Sequence, residues 1–289
     1  MRRTSIAGLT ALALLAFAGN SLLCRAALRD TAIDPASFTL LRIVSGALVL
    51  ALLIGLRRPA QLRAGSWASA AALFAYAIAF SYAYIGLSAG TGALILFGAV
   101  QASMLGWALL RGERFGALQS LGFVLAIAGL IGLLLPGLSA PPIGAALLML
   151  LAGTAWGVYS LRGRGAGDPT AVTAGNFLRA VPMAVAVLAV AVLLAPAAIQ
   201  IDLPGSLYAI ASGALTSGLG YAIWYRALPL LRASTAATVQ LSVPVITAVA
   251  GVVLLSEPVS LRLVLASIAV LGGVALIVLL PKTRIDRNG

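Results

Sequence analysis

Two arginines, Arg42 and Arg179, stand roughly two helical turns inside long apolar runs. A charge at that depth costs ~2.5–3.5 kcal/mol on insertion scales unless it meets water or a partner. A guanidinium there can fork onto a carboxylate. It can equally snorkel to the interface or cap a neighbouring helix end. The sequence leaves both readings open. Neutral amides and hydroxyls occur at similar depths: Asn20, Gln101, Asn176, Thr238 and Ser242. Such groups either line a polar path or fasten helices to one another. Aromatic residues are bunched as Tyr76, Phe80 and Tyr84 at four-residue spacing with Tyr82 opposite, then Trp156 and Tyr159, then Tyr221, Trp224 and Tyr225. Rings with hydroxyls suit amphipathic solutes, and packing alone would also account for them.

Several chemistries are excluded. There is no histidine and one cysteine, Cys24, so Cys/His zinc sites, haem attachment, catalytic triads and disulfide frameworks are out. No GxxxxGK[ST] loop is present to bind nucleotide phosphates. No metal, cofactor or enzymatic activity is expected. The seven acids, Asp30, Asp34, Glu113, Asp168, Asp202, Glu257 and Asp286, all fall in connections or at the ends of apolar runs. Proton-coupled carriers usually need a titratable group within the membrane, so movement down a gradient is the simpler expectation.

The elements that must position these residues are long apolar helices. Of the 289 residues, 62% are hydrophobic and 9% charged, with a mean hydropathy of +1.09. Soluble domains are about 45–50% apolar and about 25% charged. Spans of about 20 apolar residues cross a bilayer. Ten are expected, near 6–27, 36–56, 67–87, 89–110, 117–135, 143–161, 171–195, 205–228, 233–255 and 260–280. Arg2-Arg3 and Ala16-Phe17-Ala18 mimic a signal peptide, but the apolar run continues to Leu28, so an uncleaved first helix is expected. Pro182 and Pro244 lie mid-span and read as hinges or static kinks. With the N-terminus inside, 14 basic residues fall on the inner side, three (Arg25, Arg29, Arg262) outside and two within spans. That bias places both termini in the cytoplasm. It also explains the net charge of +12 without nucleic acid, because the basic residues are scattered singly between apolar runs.

The halves, 1–140 and 141–289, resemble each other. At an offset of 144, Gly90-Thr91-Gly92-Ala93 meets Ser234-Thr235-Ala236-Ala237, Glu113 meets Glu257 and Gly129 meets Gly273. Arg42 falls near the level of Arg179, and Tyr82 pairs with Tyr225 after a one-residue gap. Five spans per half make the repeats inverted, an arrangement that allows alternating access around a central site.

The run Tyr225-Arg226-Ala227-Leu228-Pro229, then Ala233-Ser234-Thr235-Ala236-Ala237 through Pro244, then Ser256-Glu257-Pro258, resembles the second repeat of an EamA-type drug/metabolite transporter. The first half resembles the same pattern more weakly: Val100 stands where the second half has Pro244, and Val243 stands where the family often has Glu. The resemblance implies an all-α membrane protein of ten helices in two inverted five-helix repeats, with helices 5 and 10 peripheral to a central cavity. Bacterial amino-acid exporters of the YddG type are the most similar subgroup. Export of amino acids, aromatic ones included, across the bacterial inner membrane is therefore expected, by a monomer or homodimer in the lipid bilayer. Sugars, nucleotide-sugars or cationic drugs, with or without proton coupling, are the alternative solutes. The expected cavity residues are Asn20, Arg42, Tyr76, Tyr82, Gln101, Trp156, Tyr159, Asn176, Arg179, Tyr221, Tyr225, Thr238 and Ser242.

Overall fold

Apolar chain in a bilayer must satisfy its own backbone, and helices do so within one segment. The computed structural model of the chain describes residues 3–56, 59–112, 115–137, 140–163, 167–231, 236 and 239–279. Its long helices are α1 (Arg3–Asp30), α2 (Pro35–Gly55), α3 (Trp67–Tyr84), α4 (Ala89–Leu110), α5 (Ala117–Leu134), α6 (Ile143–Gly163) and α7 (Pro169–Leu194). Then α8 (Leu203–Ala211) runs through a π-helical stretch, Ser212–Leu219, into α9 (Gly220–Ala227). Last come α10 (Ser242–Leu255) and α11 (Leu261–Leu279). Eight of these helices, α1–α7 and α11, are individually long and apolar enough to cross a membrane.

The starts of the helices are written in short polar residues. Asp34, Asp168 and Asp202 accept hydrogen bonds from the first free amides of α2, α7 and α8, each with a proline in the opening turn. Ser66 and Ser88 do the same for α3 and α4. These five acceptors satisfy donors that lipid would leave unpaired.

The two mid-span prolines sit differently. Helix α7 continues through Pro182, which lies exposed on its surface, so no break occurs there. Around Pro244 the interruption falls earlier, at Leu241, and α10 begins at Ser242. A proline ring crowds the carbonyl four residues back, here Gln240. The span expected at 205–228 holds the π-helical turns that periodicity does not signal.

Helices from the two halves interleave. Helix α1 packs on the α8–α9 run and α10, α2 on α7 and α8, α3 on α6 and α7, and α4 on α6 and α10. Helix α5 packs mainly on α11. These principal pairings map onto themselves when each helix of the first half is exchanged with its counterpart in the second. At one end of the bundle, Arg25 donates to the carbonyls of Tyr84 and Ile85 and pairs with Glu257. Asp34 is bonded to Gln200, Asp202 to Ala32, and Arg262 to the carbonyl of Leu135 at the same end. At the other end Arg179, Asn176 and Arg162 tie α6 and α7 to the 63–69 segment.

The α5–α11 seam depends on bare backbone. A Cβ on Gly122 would lie 2.5 Å from the Gly273 carbonyl, and one on Gly129 would lie 2.8 Å from Ala269. Gly132 and Gly272, on the same two helices, face open space. Small residues allow such close helix approach in membranes. Gly273→Ala should therefore lower stability by about 1–3 kcal/mol through overpacking. Gly132→Ala and Gly272→Ala should not. Thermal unfolding of the three variants in detergent checks this; equal effects would contradict the seam.

Candidate functional site

Arg42 is the eighth residue of α2, about 10 Å along the helix from its capped start. Its side chain is 2% exposed, so it does not snorkel. Nη2 donates to the Tyr76 hydroxyl of α3 at 2.9 Å. The guanidinium carbon lies 4.8 Å from the Phe80 ring centre and 5.2 Å from that of Tyr76, within the range where ring faces stabilise a cation. Nη1 is buried without a hydrogen-bond partner among the described residues. No carboxylate pairs with it: the ion pairs among the described residues use Asp30 and Glu257, with Arg25 and Arg29.

The Tyr76 oxygen also accepts from Asn20 Nδ2 of α1, at 3.0 Å. Asn20 Oδ1 in turn accepts from the Ser212 hydroxyl at 2.8 Å and the Thr216 hydroxyl at 3.3 Å. The network thus runs from α2 through α3 and α1 into the π-helical stretch of the second half. Close packing joins the same parts: a Cβ on Gly213 would strike the Arg42 carbonyl and Ser45 Oγ. Periodicity missed Ser212 and Thr216. The visible signal was their small, polar, glycine-rich company, Ser212-Gly213 and Thr216-Ser217-Gly218.

Rings surround this network. Trp156 of α6 lies 4.9 Å from Tyr76, 5.2 Å from Tyr221 and 5.3 Å from Tyr159, measured between ring centres. The series continues from Tyr76 to Phe80 at 5.3 Å and on to Tyr84 at 4.7 Å. In the other direction Phe17 touches both Tyr221 and Trp224. One unbroken run of rings therefore passes from the Tyr84 end of α3 to the Trp224 region of α9. Phe17, Phe80 and Phe177, which lies 6.2 Å from Tyr221, were not among the expected site residues; lacking polar atoms, they read as ordinary core.

The remaining expected residues divide. Asn176 is fully buried, accepting from the Ser66 amide at 2.9 Å and donating to Tyr159 at 3.4 Å. Arg179 is not at the central cluster. It donates to the carbonyls of Ala64 at 2.7 Å, Gly175 at 2.8 Å and Arg63 at 2.9 Å, so it fastens a connection instead. Tyr82 faces the exterior at 36% exposure, away from the cluster. Tyr225 and Gln101 are half-buried. The half-buried Ser242 turns its hydroxyl to the Val239 carbonyl. Thr238 and Glu113 lie outside the described residues. Cys24 is free and buried. Among the described residues no group of three metal-ligating side chains occurs.

Glu257 shows what a span-end acid does here. It is 7% exposed. Oε2 accepts from the Ala89 amide at 2.7 Å, at the start of α4, and Oε1 from Arg25 Nε at 2.9 Å. Carboxylate, guanidinium and helix start together bind α1, α4 and the connection before α11 at one end of the bundle.

The Tyr76 hydroxyl serves two buried donors, so Tyr76→Phe should strand both. Each stranded group costs about 1–3 kcal/mol. Tyr82→Phe should change stability little. Denaturation of both variants in detergent tests the difference; a silent Tyr76→Phe would contradict the network.

Residues 143–279 match the model of the EamA-like transporter family. An uncharacterized protein of Pseudomonas aeruginosa, PA1977, is 61% identical over 289 residues, covering 100% of this chain and 99% of that protein. A solved crystal structure of a protein 21% identical in sequence superposes with a TM-score of 0.65 over 96% of this chain and 99% of its own, and so shares its fold. The chain is therefore a full-length homologue of PA1977 that carries an EamA-like transporter family domain over residues 143–279.

Proposed function

We propose that the chain is a ten-span carrier of two inverted five-helix repeats, 1–140 and 141–289, which exports amino acids, aromatic ones included, from the cytoplasm. It sits in the bacterial inner membrane with both termini cytoplasmic, as the 14-to-3 placement of basic residues favours. The pairing of helices that survives exchange of the halves supports the inverted repeats. The continuous α8–π–α9 run and the broken segment ending in α10 supply the eighth and ninth spans.

The observation that carries the substrate reading is the central cluster itself. Arg42, Asn20 and Tyr76 come from the first half, and Trp156, Ser212 and Tyr221 from the second. A solute between the halves would meet polar donors on one side and rings on the other. That matches the polar head and apolar side chain of an aromatic or aliphatic amino acid. A buried guanidinium repels cationic drugs, and one such cation is too few for a nucleotide-sugar diphosphate. Alternating access would open one end of the bundle at a time. The Arg25–Glu257 contacts hold the outer end together while the inner end admits solute.

Coupling to protons is not needed. Among the described residues, Asp34, Asp168 and Asp202 are committed to helix starts, and Asp30 and Glu257 to arginines at the outer end. Uptake of labelled phenylalanine and leucine into proteoliposomes, with and without an imposed pH gradient, tests the proposal. Saturable flux down the concentration gradient, unchanged within about twofold by the pH gradient, is expected. No movement of any amino acid would overturn the substrate assignment; strict dependence on the pH gradient would overturn the facilitative mechanism.

A further inference from the structure

The cluster contains one feature that internal packing does not use: Arg42 Nη1, on a side chain 2% exposed, has no acceptor among the described residues. Its sister Nη2 is held by Tyr76, which is held by Asn20, which is held by Ser212 and Thr216. The guanidinium is therefore aimed and immobilised while one edge stays unpaired. Leaving a charged donor unpaired in a low-dielectric interior is costly, and residual preorganised donors of this kind mark ligand positions.

We propose that Arg42 Nη1 binds the carboxylate of the substrate, and that the carboxylate, not the ammonium, is the group the carrier recognises. The proposal rests on the transport reading above and narrows it to apolar and aromatic monocarboxylates, amino acids being one kind. Charge decides the class. A guanidinium stays protonated under all ordinary conditions, and no carboxylate side chain pairs with this one among the described residues. A monocarboxylate neutralises it one for one. A phosphate ester would leave excess negative charge in the same apolar surroundings, and an amine would add a second positive charge. Geometry decides the rest of the ligand. Tyr76, which holds Arg42, is 4.9 Å from Trp156, and Trp156 is 5.2 Å from Tyr221. An apolar or aromatic tail on the carboxylate would lie toward those rings, because Nη2 of the same guanidinium bonds Tyr76. Among the described residues no acidic side chain belongs to the ring cluster to take an ammonium, so the amine contributes at most a cation–π contact. Deaminated analogues should therefore bind nearly as well as amino acids.

The test uses purified full-length protein in detergent, with ligand-induced thermal stabilisation as the readout. The probes are phenylalanine, 3-phenylpropionate and phenethylamine, which differ only in their charged groups. For the wild type, 3-phenylpropionate should bind within a few-fold of phenylalanine. Loss of a charge-assisted hydrogen bond corresponds to about ten- to hundredfold in affinity, so phenethylamine should be weaker by that factor. Arg42→Gln should weaken both carboxylates by about the same factor and leave phenethylamine unchanged or improved. Arg42→Lys, which keeps the charge, should recover part of the loss and decides the matter if Arg42→Gln does not fold. Phenethylamine binding as tightly as 3-phenylpropionate, no carboxylate binding to the wild type, or undiminished carboxylate binding by the folded variants would each overturn the proposal. Carboxylate binding without amino-acid flux in proteoliposomes would sink the amino-acid reading and keep this one. Amino-acid flux with no response to 3-phenylpropionate would do the reverse.

Discussion

A guanidinium that cannot lose its proton lies inside an apolar bundle, and the arrangement around it follows from that constraint. Arg42 is buried on α2, and burying a charge is tolerable only with partners. The Tyr76 hydroxyl and the faces of Tyr76 and Phe80 supply part of the compensation. Tyr76 can do so because Asn20 fixes its hydroxyl, and Asn20 is fixed by Ser212 and Thr216 on the opposite half. The closeness of α2 to the π-helical stretch, set by Gly213, is what brings those hydroxyls within reach. One buried charge is thus joined, through Tyr76 and Asn20, to a contact between the halves and to the irregular helix.

The ends of the bundle are built differently. Charged groups there pair with main-chain carbonyls, helix starts and each other. Arg25, Arg29 and Glu257 join three elements at one end, and Arg179 joins α7 to the 63–66 segment at the other. Gly65 makes the latter contact possible. Its φ of +89° turns the chain so that Ser66 donates to Asn176, and a side chain there would collide with that amide. Glu257 and Asn176 are buried at these ends, so their contacts hold the bundle as firmly as those at the centre.

Much of this was legible along the chain, and the limits have physical causes. The apolar spans were readable from length and hydropathy because lipid imposes both. The aspartates were readable as span-end residues, and their capping of α2, α7 and α8 fits a proline in each opening turn. The family was readable from the ordered motifs around Tyr225, Pro244 and Glu257. Arg42 and Arg179 looked alike because each sits inside an apolar run at repeat-related places. They diverge because a distant connection turns its carbonyls toward Arg179, and nothing turns toward Arg42 Nη1. Tyr82 was expected with the site through its repeat partner Tyr225, although its helical phase sets it opposite Tyr76; phase prevailed. The π-helical turns were invisible because hydrophobic periodicity does not register a change from α to π winding within one apolar span.

The most direct test of the central claim is to see a solute in place. Crystals of the full chain grown with 4-bromophenylalanine would give an anomalous bromine signal. The account predicts one peak against Trp156 and Tyr221, with the carboxylate on Arg42. A bromine peak elsewhere, with the Arg42 edge untouched, would contradict it.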